Sequence, residues 1–175
     1  MSGKEYNSYT KMFATWTAAR AVNRGFTSTA IIRDALNTIG FHSKILKLAK
    51  RSLITEPIFR SWHCKITENL YNELCKHGIK DKVSFGRVSK IIAIYIKTVH
   101  ILNSPYDSLS KFAHIPIDNI LLTKLSERYN CKYFKKIKWT KLNRNQYYEL
   151  IDKFKEIQKK EKLEYFWMLE KYWEI

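Results

Sequence analysis

Glycine, proline and cysteine are all scarce in this chain: five, three and three in 175 residues. So few breakers exclude a turn-rich sandwich or barrel, which needs one about every 8–12 residues. Cys64, Cys75 and Cys131 are an odd and sparse set, so no disulfide framework is implied. Long apolar runs are missing too. The longest, Ile91 to Ile96, is far short of the roughly 20 residues that span a bilayer. The opening Met1-Ser2-Gly3-Lys4-Glu5-Tyr6 has no apolar core of a secretory signal. A soluble, cytoplasmic protein with no membrane partner is expected. Acidic residues are also underrepresented, 16 against 32 Lys and Arg, which leaves a net charge of +16. A surplus of that size draws polyanions, of which nucleic acid is the commonest.

Several catalytic signatures are absent as well. The chain has no P-loop, no Gly-x-Ser-x-Gly elbow, no zincin helix and no dinucleotide fingerprint. His63-Cys64 and Cys75-x-His77 have the residue types of a zinc site. They fall on one predicted helix, however, roughly 16 Å apart at 1.5 Å per residue. No metal and no cofactor are expected.

What remains is a strongly helical pattern in a chain that is 45% apolar and 14% aromatic, long enough to bury roughly 70% of its unfolded surface as one domain. The spacing predicts helices over 9–24, from the Thr27-Ser28-Thr29 cap to Gly40, from Ser43, from Pro57 to Gly78 and over 85–102. Another is predicted from Asp118 to Tyr129. Residues 130–142 read as irregular and basic, and a last long helix capped by Asn143 runs into Tyr165-Phe166-Trp167 and Tyr172-Trp173. No repeat or linker interrupts the pattern. The expectation is a single compact multi-helix domain, all-α, over residues 1–175.

Two positions stand out. In the most apolar helix, Phe85, Val88, Ile92, Tyr95, Val99 and Leu102 mark one face, while Ile91, Ile94, Ile96 and Ile101 make the other sides apolar too. Such a helix is central in a domain. Lys90 and Lys97, seven residues apart, share one side of it. Either they snorkel out along a narrow solvent strip, or Lys90 is an amine held in a partly dry pocket and serves as a nucleophile. In His114-Ile115-Pro116-Ile117-Asp118, the acid opens a helix after an apolar segment. Either it is an ordinary cap, worth about 1 kcal/mol, or it is a buried carboxylate paired with a lysine.

Gly86-x-x-x-Lys90 at the head of an apolar helix, with Ile115-Pro116-Ile117-Asp118 opening another downstream, resembles the core of the helix-hairpin-helix DNA glycosylases. The string Lys90-Ile91-Ile92-Ala93-Ile94-Tyr95-Ile96-Lys97 brings it nearest to the archaeal 8-oxoguanine glycosylase branch. The resemblance covers about 78–125, under a third of the chain. Val88 stands where the family has its second hairpin glycine, and the interval from Lys90 to Asp118 is longer than in endonuclease III-like members. The resemblance implies a helix-hairpin-helix glycosylase-like fold and excision of a damaged or modified base from double-stranded DNA by base flipping. In it Lys90 would attack the sugar, Asp118 would assist, strand cleavage could follow, and no cofactor would be needed.

The remaining candidates concern binding. Lys132 to Lys141 holds five lysines, no acid and three aromatic residues, so Lys135, Lys136, Lys138 and Lys141 suit phosphates and Trp139 suits stacking on an unpaired base. Arg20, Arg24, Lys44, Lys47 and Arg87 could extend that surface, and the resemblance adds Gly86 to the nucleic-acid contacts. Trp62 and His63 are candidates for a base pocket; a lone histidine on an apolar helix is more often structural. Two rival readings stand beside the glycosylase: a non-catalytic basic DNA- or RNA-binding protein, and a phage- or defence-related helical interaction protein.

Overall fold

Polar caps and left-handed glycines set most of the helix boundaries. The computed structural model describes the backbone of residues 3–173 and the side chains of residues 8–173. Helix α1 spans Gly3–Arg20. Ser28 caps α2 (Thr29–Thr38), its hydroxyl accepting from the Ile31 N–H. Gly40, at φ +61°, turns the chain into α3 (Phe41–Ala49). Pro57 sits in the first turn of α4 (Glu56–Leu74), where a missing N–H costs nothing. Ser84 caps α5 (Phe85–Ile96) through the Arg87 N–H. Asp107 and Asp118 cap α6 (Ser108–Phe112) and α7 (Asn119–Arg128) in the same manner. After α8 (Lys132–Lys136), Asn143 and Gln146 form a reciprocal capping box on α9 (Arg144–Lys160). All the regular structure among the described residues is helical, and no helix there is long and apolar enough to cross a membrane.

Several boundaries differ from the expectation: the first helix covers Gly3–Arg20 and not 9–24, and the third starts at Phe41, ahead of Ser43. The apolar helix ends its regular α geometry at Ile96 and widens into a π turn over Lys97–Ile101. The stretch expected to be irregular contains α8 and a 3-10 turn, Trp139–Lys141. The last long helix stops at Lys160 because Lys162 takes φ 52°. The aromatic tail then folds back as a separate 3-10 segment, Phe166–Tyr172.

Helix α5 is the axis of the molecule. Ten of its twelve residues are buried, as its all-round apolar pattern requires. One core gathers α1 to α4 on one side of it, with Ala14, Ala18 and Ala19 bringing α1 into close contact. A second core gathers α7 to α9 and the 3-10 tail on the other. Where the two meet, His63 of α4 and His114 lie with ring centroids 4.4 Å apart. Each shares a hydrogen bond with a tyrosine of α9, His63 Nδ1 with Tyr148 at 2.9 Å and His114 Nδ1 with Tyr147 at 3.1 Å. Burial holds the His63 ring down to about 3 and puts that of His114 well below its ordinary 6.5, with the neighbouring His63 as a second cause for the latter.

Those two rings make stability depend on pH. Folded, both stay neutral; unfolded, both take up a proton near 6.5. Their contribution is therefore complete above about pH 6.5 and is lost as pH falls below it, at up to about 1.4 kcal/mol per pH unit for each ring. Urea midpoints measured between pH 7.5 and 5 should fall steeply. The slope should become shallower in His63→Gln, and an unchanged slope in that variant would contradict the assignment.

Candidate active site

Lysine in the middle of an apolar helix requires a partner, and α5 supplies one across the fold. Lys90 Nζ donates to Asp118 Oδ2 at 3.1 Å, and the two side chains are only 8% and 11% exposed. Neither of the simpler alternatives from the sequence holds alone. Lys90 does not snorkel to solvent, and Asp118 is at once a helix cap and a buried counter-ion. Its Oδ1 accepts from the Leu121 N–H at 3.1 Å, the capping bond of α7. The indole Nε1 of Trp173 donates towards both carboxylate oxygens, at 3.2 Å each. Every group touching the carboxylate is thus a donor, with the backbone of α7 fixing its position.

Two tryptophans wall the pair. The Trp139 ring lies 4.6 Å from Lys90 Nζ, close enough for a cation–π contact. Its segment is pinned by Gly86, whose N–H donates to Leu142 O at 3.1 Å. A Cβ at Gly86 would stand 2.1 Å from the Trp139 carbonyl oxygen. The glycine is required by this approach of backbone to helix. That corrects its expected place on the nucleic-acid-binding surface, because the residue is buried and its N–H is already used. Trp139, half-buried against the lysine, is likewise a wall of the site and not a free stacking surface.

On the other side, Lys97, about two helical turns beyond Lys90, pairs with Glu170 of the tail. Burial pushes the Glu170 carboxyl up, against the pull of Lys97, and Asp118 adds to the rise. The Lys97 ammonium also lies 5.8 Å from the centre of the Trp173 ring. Lys90, Lys97, Asp118, Glu170, Trp139 and Trp173 therefore form one connected cluster of two cations, two anions and two indoles. A groove lined by Leu102, Pro105, Trp167 and Met168 runs up to Lys97 and Glu170. The chain matches no family model, no curated protein and no solved structure. The chemistry of the site therefore has to be read from its own geometry.

The other expected residues are placed as follows. Lys135, Lys136, Lys138 and Lys141 are all exposed, and Lys135 and Lys138 line a groove with Asn119, Thr123 and Trp139 beside the start of α7. This basic segment borders the Lys90–Asp118 pair. Arg20 and Arg24 are exposed at the end of α1 and just beyond it. Arg87 is half-buried; its Nη1 donates to Lys82 O at 2.6 Å and its guanidinium lies 5.0 Å from the centre of the Phe26 ring, anchoring the loop before α5. The base pocket expected at Trp62 and His63 is not formed. His63 is completely buried, and Trp62 packs on Phe41 and Phe59 in the first core. Sequence reasoning singled out neither Glu170 nor Trp173 of the aromatic tail as a residue of the site. The seven-residue step from Lys90 to Lys97 was visible, but Glu170 and Trp173 come from a tail whose return path has no local signal.

The buried pair should behave as a unit. Asp118→Ala leaves Lys90 uncompensated and removes the cap, so it should cost about 3–5 kcal/mol. Replacing both members, Lys90→Met with Asp118→Leu, should cost clearly less than the sum of the single changes. Urea melts of the four proteins give the coupling; simple additivity would mean that the 3.1 Å contact contributes nothing.

Proposed function

We propose that the protein is a DNA glycosylase that excises a damaged or modified base with Lys90 and Asp118. The observation that carries this reading is the pair itself: an amine and a carboxylate 28 residues apart in sequence, in contact at 3.1 Å and walled by two indoles. Its border of exposed lysines provides for a polyanion. The helix-hairpin-helix resemblance, which implies this same pair of residues, adds to that support. An enzyme acting on a base must draw it out of the stack and hold it among aromatic and polar groups. Trp173, 38% exposed, offers a face; Lys97 and Glu170 offer a donor and an acceptor for the edge of the base.

In the proposed reaction, Asp118 Oδ2 takes a proton from the Lys90 ammonium along their hydrogen bond. The freed Nζ lone pair forms a bond to C1′ of the sugar as the N-glycosidic bond breaks. The electron pair of that bond leaves with the base, which takes up a proton from solvent or a neighbouring acid. The second Nζ proton passes to O4′ as the C1′–O4′ bond breaks and the nitrogen lone pair forms the C=N bond of a Schiff base, which water hydrolyses or which undergoes β-elimination. Before that proton transfer the Asp118 carboxylate holds the Lys90 ammonium in place. The indole N–H of Trp173, which now occupies that carboxylate, has to withdraw or rotate to admit the sugar.

The deciding experiment is borohydride trapping on duplexes carrying a panel of oxidised, deaminated and alkylated bases. The wild-type chain should form a covalent adduct with at least one. Lys90→Gln should form none while binding duplex within a few-fold of wild type, and Asp118→Asn should lower turnover by orders of magnitude. Excision retained in Lys90→Gln would remove that lysine from the mechanism. No excision of any base, together with tight duplex binding, would leave the non-catalytic binding reading in its place.

Binding should be dominated by phosphate contacts. The logarithm of affinity should then fall linearly with the logarithm of salt concentration, at about 0.9 per phosphate neutralised. Changing Lys135, Lys136 and Lys138 together to Gln should weaken binding to all duplex sequences alike and flatten that slope by up to about three. Titrations at several salt concentrations test this, and a slope unaffected by the triple change would place the contacts elsewhere.

A further inference from the structure

Helix α1 carries four large apolar side chains on its outer face. Tyr9, Met12, Phe13 and Trp16 are 58%, 63%, 56% and 52% exposed, and their spacing places them along one stripe. The opposite stripe, with Ala14, Ala18 and Ala19, is the one buried against α5. None of the four belongs to either core among the described residues, and a contiguous exposed patch of this kind marks a binding surface.

The surroundings indicate what binds there. The rings of Phe13 and Trp16 are stacked, with centroids 6.2 Å apart and planes 23° from parallel. The Arg20 guanidinium lies 5.9 Å from the centre of the Trp16 ring. Lys11 and Arg33 line the adjoining cleft with Met12 and Trp16. Aromatic faces interleaved with cations suit unpaired bases joined by phosphates. A second copy of this chain would bring another +16 charge against a rim that is already cationic, which opposes self-association. Helix α1 also adjoins the candidate active site: Thr17 Oγ1 is 3.3 Å from Thr98 Oγ1, on the residue next to Lys97.

We propose that the outer face of α1 is a stacking platform for unpaired bases of single-stranded nucleic acid. Phe13 and Trp16 supply the faces, and Lys11, Arg20 and Arg33 meet the phosphates. The platform stands independently of any excision chemistry at Lys90.

The test uses the full chain and a labelled oligothymidine, followed by fluorescence anisotropy at several salt concentrations beside a duplex of equal length. Phe13→Ala with Trp16→Ala should weaken oligothymidine binding by about 5- to 150-fold per stacked base lost, with the salt slope unchanged and duplex binding within about twofold. Trp16→Phe, which keeps an aromatic face, should retain most of the affinity. Arg20→Gln with Arg33→Gln should instead flatten the slope by about 1.4, at 0.7 per phosphate on a single strand. The altered side chains are exposed, and an unchanged melting temperature for each variant verifies the fold. Wild-type binding that survives the double alanine change, or no oligothymidine binding at low salt, would overturn the platform. So would self-association or attachment to anionic vesicles that the double alanine variant loses while its oligothymidine binding persists. Borohydride trapping of the same proteins separates the two ideas: a platform intact in a chain that traps no base would sink only the glycosylase.

Discussion

A charge inside an apolar helix cannot be left alone, and the arrangement of this molecule around α5 follows from that constraint. Ten of the twelve residues of α5 are buried, Lys90 among them. Removing an ammonium from water without a counter-ion costs more than any single apolar contact returns. The fold meets this by bringing the start of α7 against α5, so that the residue capping α7 also neutralises Lys90. A carboxylate fixed to backbone in this way cannot drift, which gives the contact the definition that proton transfer requires.

The same contact organises the surrounding indoles. Trp139 can reach Lys90 only because Gly86 lets a carbonyl oxygen approach where any Cβ would collide with it. Trp173 reaches Asp118 only because Lys162 breaks the helical path and sends the tail back over the site. One absent side chain and one left-handed residue thus close the two sides of the cluster. The basic strip at Lys135 to Lys141 borders it because the 3-10 turn that places Trp139 lies within that strip.

The candidate site also lies next to a second polar group of a different kind. His63, His114, Tyr147 and Tyr148 share the junction of the two cores, each histidine neutral and bonded to one of the tyrosines. Ser89, the neighbour of Lys90 in sequence, points into the same buried region and has no hydrogen-bond partner among the described residues. Burial disfavours charge in both clusters. It holds the histidines in their uncharged form, whereas Lys90 has an anion at hydrogen-bond distance.

Composition and period by themselves determined the helical class, most helix starts, the centrality of α5 and the choice of Lys90 and Asp118 as residues of interest. These are local properties: Ser28, Ser84, Asp118 and Asn143 cap the helices that follow them, and an all-round apolar stretch has to lie inside. What only the tertiary structure decided was proximity. That Lys90 and Asp118 touch, that Glu170 answers Lys97, and that Trp139 and Trp173 become walls depend on chain reversals at Gly78, Asn130 and Lys162. The direction of such reversals is set by packing of distant faces, and no local spacing encodes it. The same reason misplaced His63 and Gly86: residue type suggested ligand contacts, whereas burial by α9 and by the 139–142 segment left them none to make.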